Sequence, residues 1–149
     1  MEWLVDTAYE EFSKLTPAEK VFIATHPLQA MTIKGSKGTA FNETQKRFGV
    51  NGHNDSTDAF RHCFWSAILS RDIGYLNAWE FTTAHESDPN NPADEKKMDL
   101  HNNSVGLKIG NALPFFGKSN AELSNLCYMA LIQGKLITSP STQVKSKGY

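Results

Sequence analysis

Cysteine is scarce in this chain. Cys63 and Cys127 are its two thiols; each sits in an apolar helical pattern and neither belongs to a C-x-x-C pair. That excludes a disulfide-stapled scaffold and a thiolate zinc site, and assigns both residues to the core. No apolar run approaches the roughly 18 residues of a membrane span, and the opening Met1-Glu2-Trp3-Leu4-Val5-Asp6 lacks the basic region and cleavage site of a signal peptide. The expectation is a soluble protein, cytoplasmic or exported by a dedicated secretion system. An excess of one charge is missing too: 15 Lys and Arg face 16 Asp and Glu, for a net charge of -1. Nucleic acid or an anionic membrane therefore has no bulk-charge footprint to meet. The glycines of Lys34-Gly35-Ser36-Lys37-Gly38 do not make a phosphate loop, and neither G-x-S-x-G nor H-E-x-x-H occurs. Alternating β-branched runs and internal repeats are absent as well.

What is present is helical periodicity. With 149 residues and 40% hydrophobic composition, the chain matches one globular domain with a substantial core. Leu4, Val5, Ala8, Tyr9, Phe12 and Leu15 recur at helical spacing and predict a helix over 2–15. Thr16-Pro17-Ala18-Glu19 reads as a capping box with proline at the first helical position, opening a short helix that stops before His26-Pro27. Residues 34–38 read as a flexible basic turn before a helix over 39–48 closed by Gly49. The polar loop 51–57 leads into an apolar helix over 58–73, and a further helix runs from Tyr75 to Glu86. After the proline-rich loop 87–92 comes a helix over 94–109; Gly110, Pro114 and Gly117 then break the chain. Ser119-Asn120-Ala121-Glu122 reads as a second capping box, opening a helix that reaches Gly134. The fold expected is all-α, a compact single domain of six or seven helices over residues 1–138, with 139–149 a frayed tail. Trp65, Trp79, Phe115 and Phe116 read as core aromatics, while His26 and His53 read as turn or surface residues.

Polar residues placed inside the most apolar helices are the candidates for chemistry. Asp58 and His62 stand four apart on one helix face, with Arg61 beside them. His85 and Glu86 end the next helix, where a carboxylate opposes the macrodipole and so calls for another reason to be there. Asp99, Asn102, Asn103 and Gly106, at offsets of three, four and seven, draw a polar stripe along one face of a third helix. A glycine within such a stripe costs about 1 kcal/mol relative to alanine, which points to close approach of another helix or of a ligand. Taken one at a time, each has a structural explanation: Asp58 as a first-turn carboxylate, His62 as a satisfied core histidine, Asn102 and Asn103 as a buried amide network.

Taken together they supply nitrogen and oxygen donors from three successive helices, the way helical bundles build metal and acid/base sites. In one reading Asp58, His62, His85 and Asp99 ligate a divalent ion (zinc, manganese or nickel) that activates water against an ester or phosphoester. His62, His85 and Glu86 would then do the chemistry, and Arg61, Asn102 and Asn103 would bind substrate; Arg61 could instead brace Glu86. In a second reading Glu86 is the general acid of a lysozyme-like cell-wall glycosidase, with Asp58 or Asp99 as its partner and no metal. A third is a non-enzymatic binding module in which the same buried polar network fixes helix register.

The blocks Asp58-Ala59-Phe60-Arg61-His62-x-x-Trp65, Ala84-His85-Glu86 and Met98-Asp99-Leu100-x-Asn102-Asn103-x-x-Gly106 resemble a bacterial domain family of largely uncharacterised function. The resemblance runs from about residue 15 to 110 and takes in Leu15-Thr16-Pro17-Ala18-Glu19 and the His26-Pro27 turn. Such domains often end secreted or polymorphic-toxin proteins. What the resemblance implies is an interbacterial or secreted effector with an immunity protein as partner; the hydrolase reading of the residues, made independently, adds a lipid, nucleotide or cell-wall ester as the target. In order alone, the histidines and acids are also similar to those of helical histidine-aspartate phosphohydrolases, with Glu86 where that family has an aspartate. Helical phospholipases with a His and Asp dyad are similar too, but their disulfide framework is missing.

Overall fold

A computed structural model describes residues 13–112 and 117–140. Most of the helix expected over 2–15 lies outside these residues, as do Pro114, Phe115, Phe116 and the chain from 141 onward. Among the described residues there are six α-helices and no strand. They are α1 (Pro17–Thr25), α2 (Ala30–Phe48), α3 (Ser56–Ile73), α4 (Tyr75–His85), α5 (Ala93–Asn111) and α6 (Asn120–Ile132), with a single 3-10 turn, Pro27–Gln29, between α1 and α2.

Caps set the boundaries. Thr16 and Glu19 form the expected reciprocal box at the start of α1, and Asp55 caps α3 by accepting the Asp58 N–H. At α6 the Ser119 hydroxyl accepts the Glu122 N–H but also donates to the Glu122 carboxylate, so the second box differs from the reciprocal one expected. Gly49, at φ 77°, and Gly74, at φ 88°, end α2 and α3 in backbone conformations that favour glycine.

The turn expected over 34–38 is helix instead. Within α2, Ile33, Ser36, Ala40 and Thr44 fall on one buried face, and Gly35 and Gly38 lie on the other with nothing within 4 Å of where a Cβ would stand. Packing of that face outweighs the low helix propensity of two glycines. Ser36 helps, because its hydroxyl donates to Ile33 O at 2.6 Å and accepts the Trp65 indole N–H at 3.0 Å. Trp79 is not core: the buried face of α4 is Ala78, Phe81, Thr82 and Ala84, and Trp79 falls one position off it, 52% exposed. Gly110 does not break the chain but lies inside α5.

The centre of the fold is α3, which packs on α2, α4, α5 and α6 and buries side chains nearly all round, including Phe60, Phe64 and Leu69. Its most extensive partner is α5. A Cβ on Gly106 would stand 2.0 Å from Cys63 O, and one on Gly110 would stand 2.1 Å from Ala67 O. Two glycines four apart on α5 thus let its backbone lie directly on that of α3. Between them, the Ser70 hydroxyl donates to Leu107 O at 2.8 Å. Cys63 and Cys127 are both buried and free, as expected. Among the described residues no helix is long and apolar enough to cross a membrane.

Candidate active site

The glycine seam between α3 and α5 brings Asp58 and His62 of α3 against Asp99 of α5. His62 Nε2 lies 3.4 Å from Asp58 Oδ1 and 3.5 Å from Asp99 Oδ1. Each of the three offers one donor atom within 4.8 Å of the others, a grouping that suits a metal ion. The other ring nitrogen, Nδ1, lies 3.3 Å from Asn103 Oδ1 and 3.7 Å from Glu86 Oε1. A proton on Nδ1 aimed at those oxygens leaves the Nε2 lone pair directed between the two aspartates, the tautomer a metal-ligating histidine uses.

Further contacts fix these groups. Asp58 is 1% exposed; its Oδ1 accepts from Arg61 at 2.5 Å and its Oδ2 accepts the Asn54 N–H at 2.7 Å. Arg61 also donates to Asn51 Oδ1 and Gly52 O, tying the α2–α3 loop to the site. It braces Asp58 and not Glu86. Asn54 holds φ 57°, and its side-chain N–H reaches Glu95 at 2.7 Å. Asn103 Oδ1 additionally accepts from Ser66 at 3.0 Å.

Three buried polar atoms in this group lack a hydrogen bond of good geometry: Asn103 Nδ2, and Glu86 Oε1 and Asp99 Oδ1, which meet the His62 ring only as ion-pair partners, at 3.7 and 3.5 Å. Leaving a buried polar atom unpaired costs about 1–3 kcal/mol, so an unpartnered amide N–H and two oxygens that meet only the imidazole charge leave this group able to accept a further bound species. The electrostatics agree. Burial disfavours the His62 imidazolium, but the Asp58 hydrogen bond and the charges of Asp99, Asp58 and Glu86 outweigh it and raise the pKa to about 9. Burial, together with the charges of Glu86 and Asp58 and a hydrogen bond with Glu86, raises Asp99 to about 7 against the pull of His62. Asp58 is also pushed up by burial, yet the His62, Asn54 and Arg61 contacts hold it below the usual carboxylate range. The cluster thus favours a positive charge at its centre, which in the metal-free protein His62 carries as an imidazolium at neutral pH.

His62 is the member that reaches the surface. It lines a cleft of about 300 Å³ with Lys37, Ala40, Phe41, Arg61, Trp65 and His85. No carboxylate is among those seven residues. His85, expected as a fourth metal ligand, is not part of the triad; its Nδ1 is taken by Glu19 Oε2 at 3.0 Å, and it faces the cleft from another wall. Asn102, expected to bind substrate, is fully buried, and both ends of its amide are used: Nδ2 donates to Ile137 O and Oδ1 accepts the Ile137 N–H, each at 2.9 Å. Glu86 is 3% exposed and accepts from Asn91 at 3.4 Å on the oxygen turned away from His62. His53 is a surface residue, but its ring lies 3.7 Å from Asp58 Oδ2 and 3.9 Å from Glu95 Oε1. Sequence reasoning missed Glu19, which its capping role accounts for fully in one dimension, and Lys37, which it placed in a turn.

The model of one family, described as a domain of unknown function (DUF6973), matches residues 20–135, well over half of the chain, and the chain belongs to that family. No solved structure matches it.

Proposed function

We propose that this member of the DUF6973 family is a metal-assisted hydrolase, with Asp58, His62 and Asp99 as the ligands of a divalent ion such as zinc, manganese or nickel. The observation that carries the reading is the convergence of three donor atoms from two helices, with Asp99 Oδ1 and Glu86 Oε1 buried beside them and lacking a hydrogen bond. An ion there would supply Lewis acidity and a water made acidic enough to attack an ester or phosphoester near neutral pH. The protein's own part is positional. Asn103 and Glu86 hold the His62 ring in the ligating tautomer, Arg61 and the Asn54 N–H hold Asp58, and the cleft delivers substrate to the exposed edge of His62.

A glycosidase using Glu86 has less support, because Glu86 is buried and does not line the cleft. A purely structural network has less support too, because a network retained for packing would leave few of its atoms unpaired. In the setting its resemblance implies, such a hydrolase would be an antibacterial effector acting on a lipid, nucleotide or cell-wall ester, delivered by a secretion system and neutralised by an immunity protein.

Elemental analysis of the purified protein tests the reading. Near-stoichiometric divalent metal is expected in wild type and is lost in His62→Ala and Asp99→Asn, whereas His85→Ala retains it. Absence of metal after incubation with zinc, manganese and nickel would sink the mechanism. Growth arrest of a bacterial host expressing wild type but not His62→Ala is the outcome expected of an effector.

A further inference from the structure

A second constellation faces the same cleft and takes no part in the metal triad. Glu19 is 2% exposed although its carboxylate belongs to the first turn of α1. Its Oε1 accepts the Thr16 N–H at 2.9 Å, which completes the helix cap. Its Oε2 is turned the other way and meets His85 Nδ1 at 3.0 Å, with Lys37 Nζ 3.9 Å distant. The cap needs one oxygen, so the second is free to orient an imidazole from α4. Tying α1 to α4 does not call for this carboxylate, since the Thr16 hydroxyl already donates to Ala84 O at 2.8 Å.

The His85 ring is held on a second side by the Trp65 ring, in an edge-on contact with centroids 5.2 Å apart, and Trp65 is itself anchored by its indole bond to Ser36. An anionic acceptor at Nδ1 fixes the proton on that nitrogen and leaves the Nε2 lone pair as the reactive atom. The His85 side chain is 35% exposed and lines the cleft together with His62. This is the arrangement of an oriented general base: a buried carboxylate, an imidazole in one tautomer, and an open path to substrate.

We infer that Glu19 and His85 form a proton-transfer dyad, with His85 as the catalytic base and Glu19 as its positioning residue, serving the hydrolysis proposed above and resting on that reading. In the step it serves, water forms a bond to the acyl or phosphoryl atom of the ester as His85 Nε2 takes its proton. The bond to the leaving oxygen breaks, and Nε2 returns the proton to that oxygen. Ester and water become acid and alcohol, and the imidazole is regenerated. Lys37, whose side chain is 42% exposed, lines the cleft with no carboxylate among the cleft residues, and favours an ester carrying negative charge.

Glu19→Gln is the informative variant, because glutamine still completes a capping box while the anion facing Nδ1 is lost. Metal-loaded wild type, Glu19→Gln and His85→Ala would be compared on p-nitrophenyl acetate and bis(p-nitrophenyl) phosphate, with metal content and melting temperature measured for each. The expected result is a fall in kcat of about 100-fold in both variants, with KM, metal content and melting temperature little changed, and recovery of His85→Ala, but not of Glu19→Gln, by added imidazole. Unchanged kcat, or a loss that follows loss of metal, would overturn the dyad. Diethyl pyrocarbonate, read by peptide mass spectrometry, gives a measure that needs no turnover. His85 should be acylated faster than the more exposed His53, and several-fold more slowly in Glu19→Gln. A rate insensitive to Glu19 overturns the dyad, whatever the metal result. A metal-bearing wild type that cleaves neither probe removes the hydrolase reading and the catalytic role of His85 with it.

Discussion

His62 is surrounded by acid, and the consequence is measurable as stability against pH. Its imidazolium, raised to about 9 in the folded protein from an ordinary 6.5, contributes stability that is complete below pH 6.5 and disappears as pH rises toward 9. Asp99, raised from 3.8 to about 7, keeps in the folded state a proton that the unfolded chain releases, so stability also falls as pH rises across that interval. The two act in succession with the same sign, Asp99 up to about pH 7 and His62 from 6.5 to about 9. The melting temperature of metal-free protein should therefore decline steadily over this range, and a flat or rising profile would mean that the cluster does not hold its proton. Asn102 makes the opposite kind of contribution. Asn102→Ala would leave the buried N–H and C=O of Ile137 without their amide partner, a loss of about 3 kcal/mol, readable by urea denaturation with metal affinity intact. The sequence marked Asn102 and Asn103 as equals. Only the partner chain segment separates them, and Ile137 stands 35 positions from Asn102. Glu19 is hidden for the same reason, since its second role depends on a histidine 66 positions away.

Between elements, the glycine seam governs the site. Gly106→Ala would push a methyl group into the Cys63 carbonyl, which belongs to a helix backbone and cannot rotate aside. We expect it to cost about 3 kcal/mol or more and to abolish metal binding, because the same displacement separates Asp99 from Asp58. Gly38→Ala is the contrasting case. With open space at its Cβ and a helical backbone, it should stabilise the protein by about 0.5–1 kcal/mol, visible as a raised urea midpoint. The apolar and polar periodicities were legible in the sequence, and they located α3, α4 and α5 and the three faces that carry the site. Gly106 announced close approach because it interrupts a polar stripe at helical spacing. Gly35 and Gly38 misled because their exposed face carries no signal of the buried one. Only contact with Trp65 shows why the helix continues through them.

At the scale of the molecule, an ion bound in the proposed site would couple its binding to folding. Asp58, His62 and Asp99 come from helices that meet only in the folded state, so an ion held by them adds to global stability. At 100 times its dissociation constant a divalent ion should contribute about 2.7 kcal/mol, or roughly 8 °C in melting temperature for a domain of this size. The shift is expected in wild type and absent in Asp99→Asn; equal shifts in both would place the ion elsewhere.

The contact of main chain on main chain at Gly106 and Gly110 also acts as a ruler. Side chains that set a spacing can repack, but two helix backbones in direct contact cannot be drawn closer, and Ser70 and Ser66 tether them against moving apart. The spacing of the helix backbones that carry Asp58 and Asp99 is thereby fixed, and an ion bound as proposed would be selected by radius. Calcium, which gathers six to eight oxygens in a yielding shell, should be rejected in favour of the smaller transition ions.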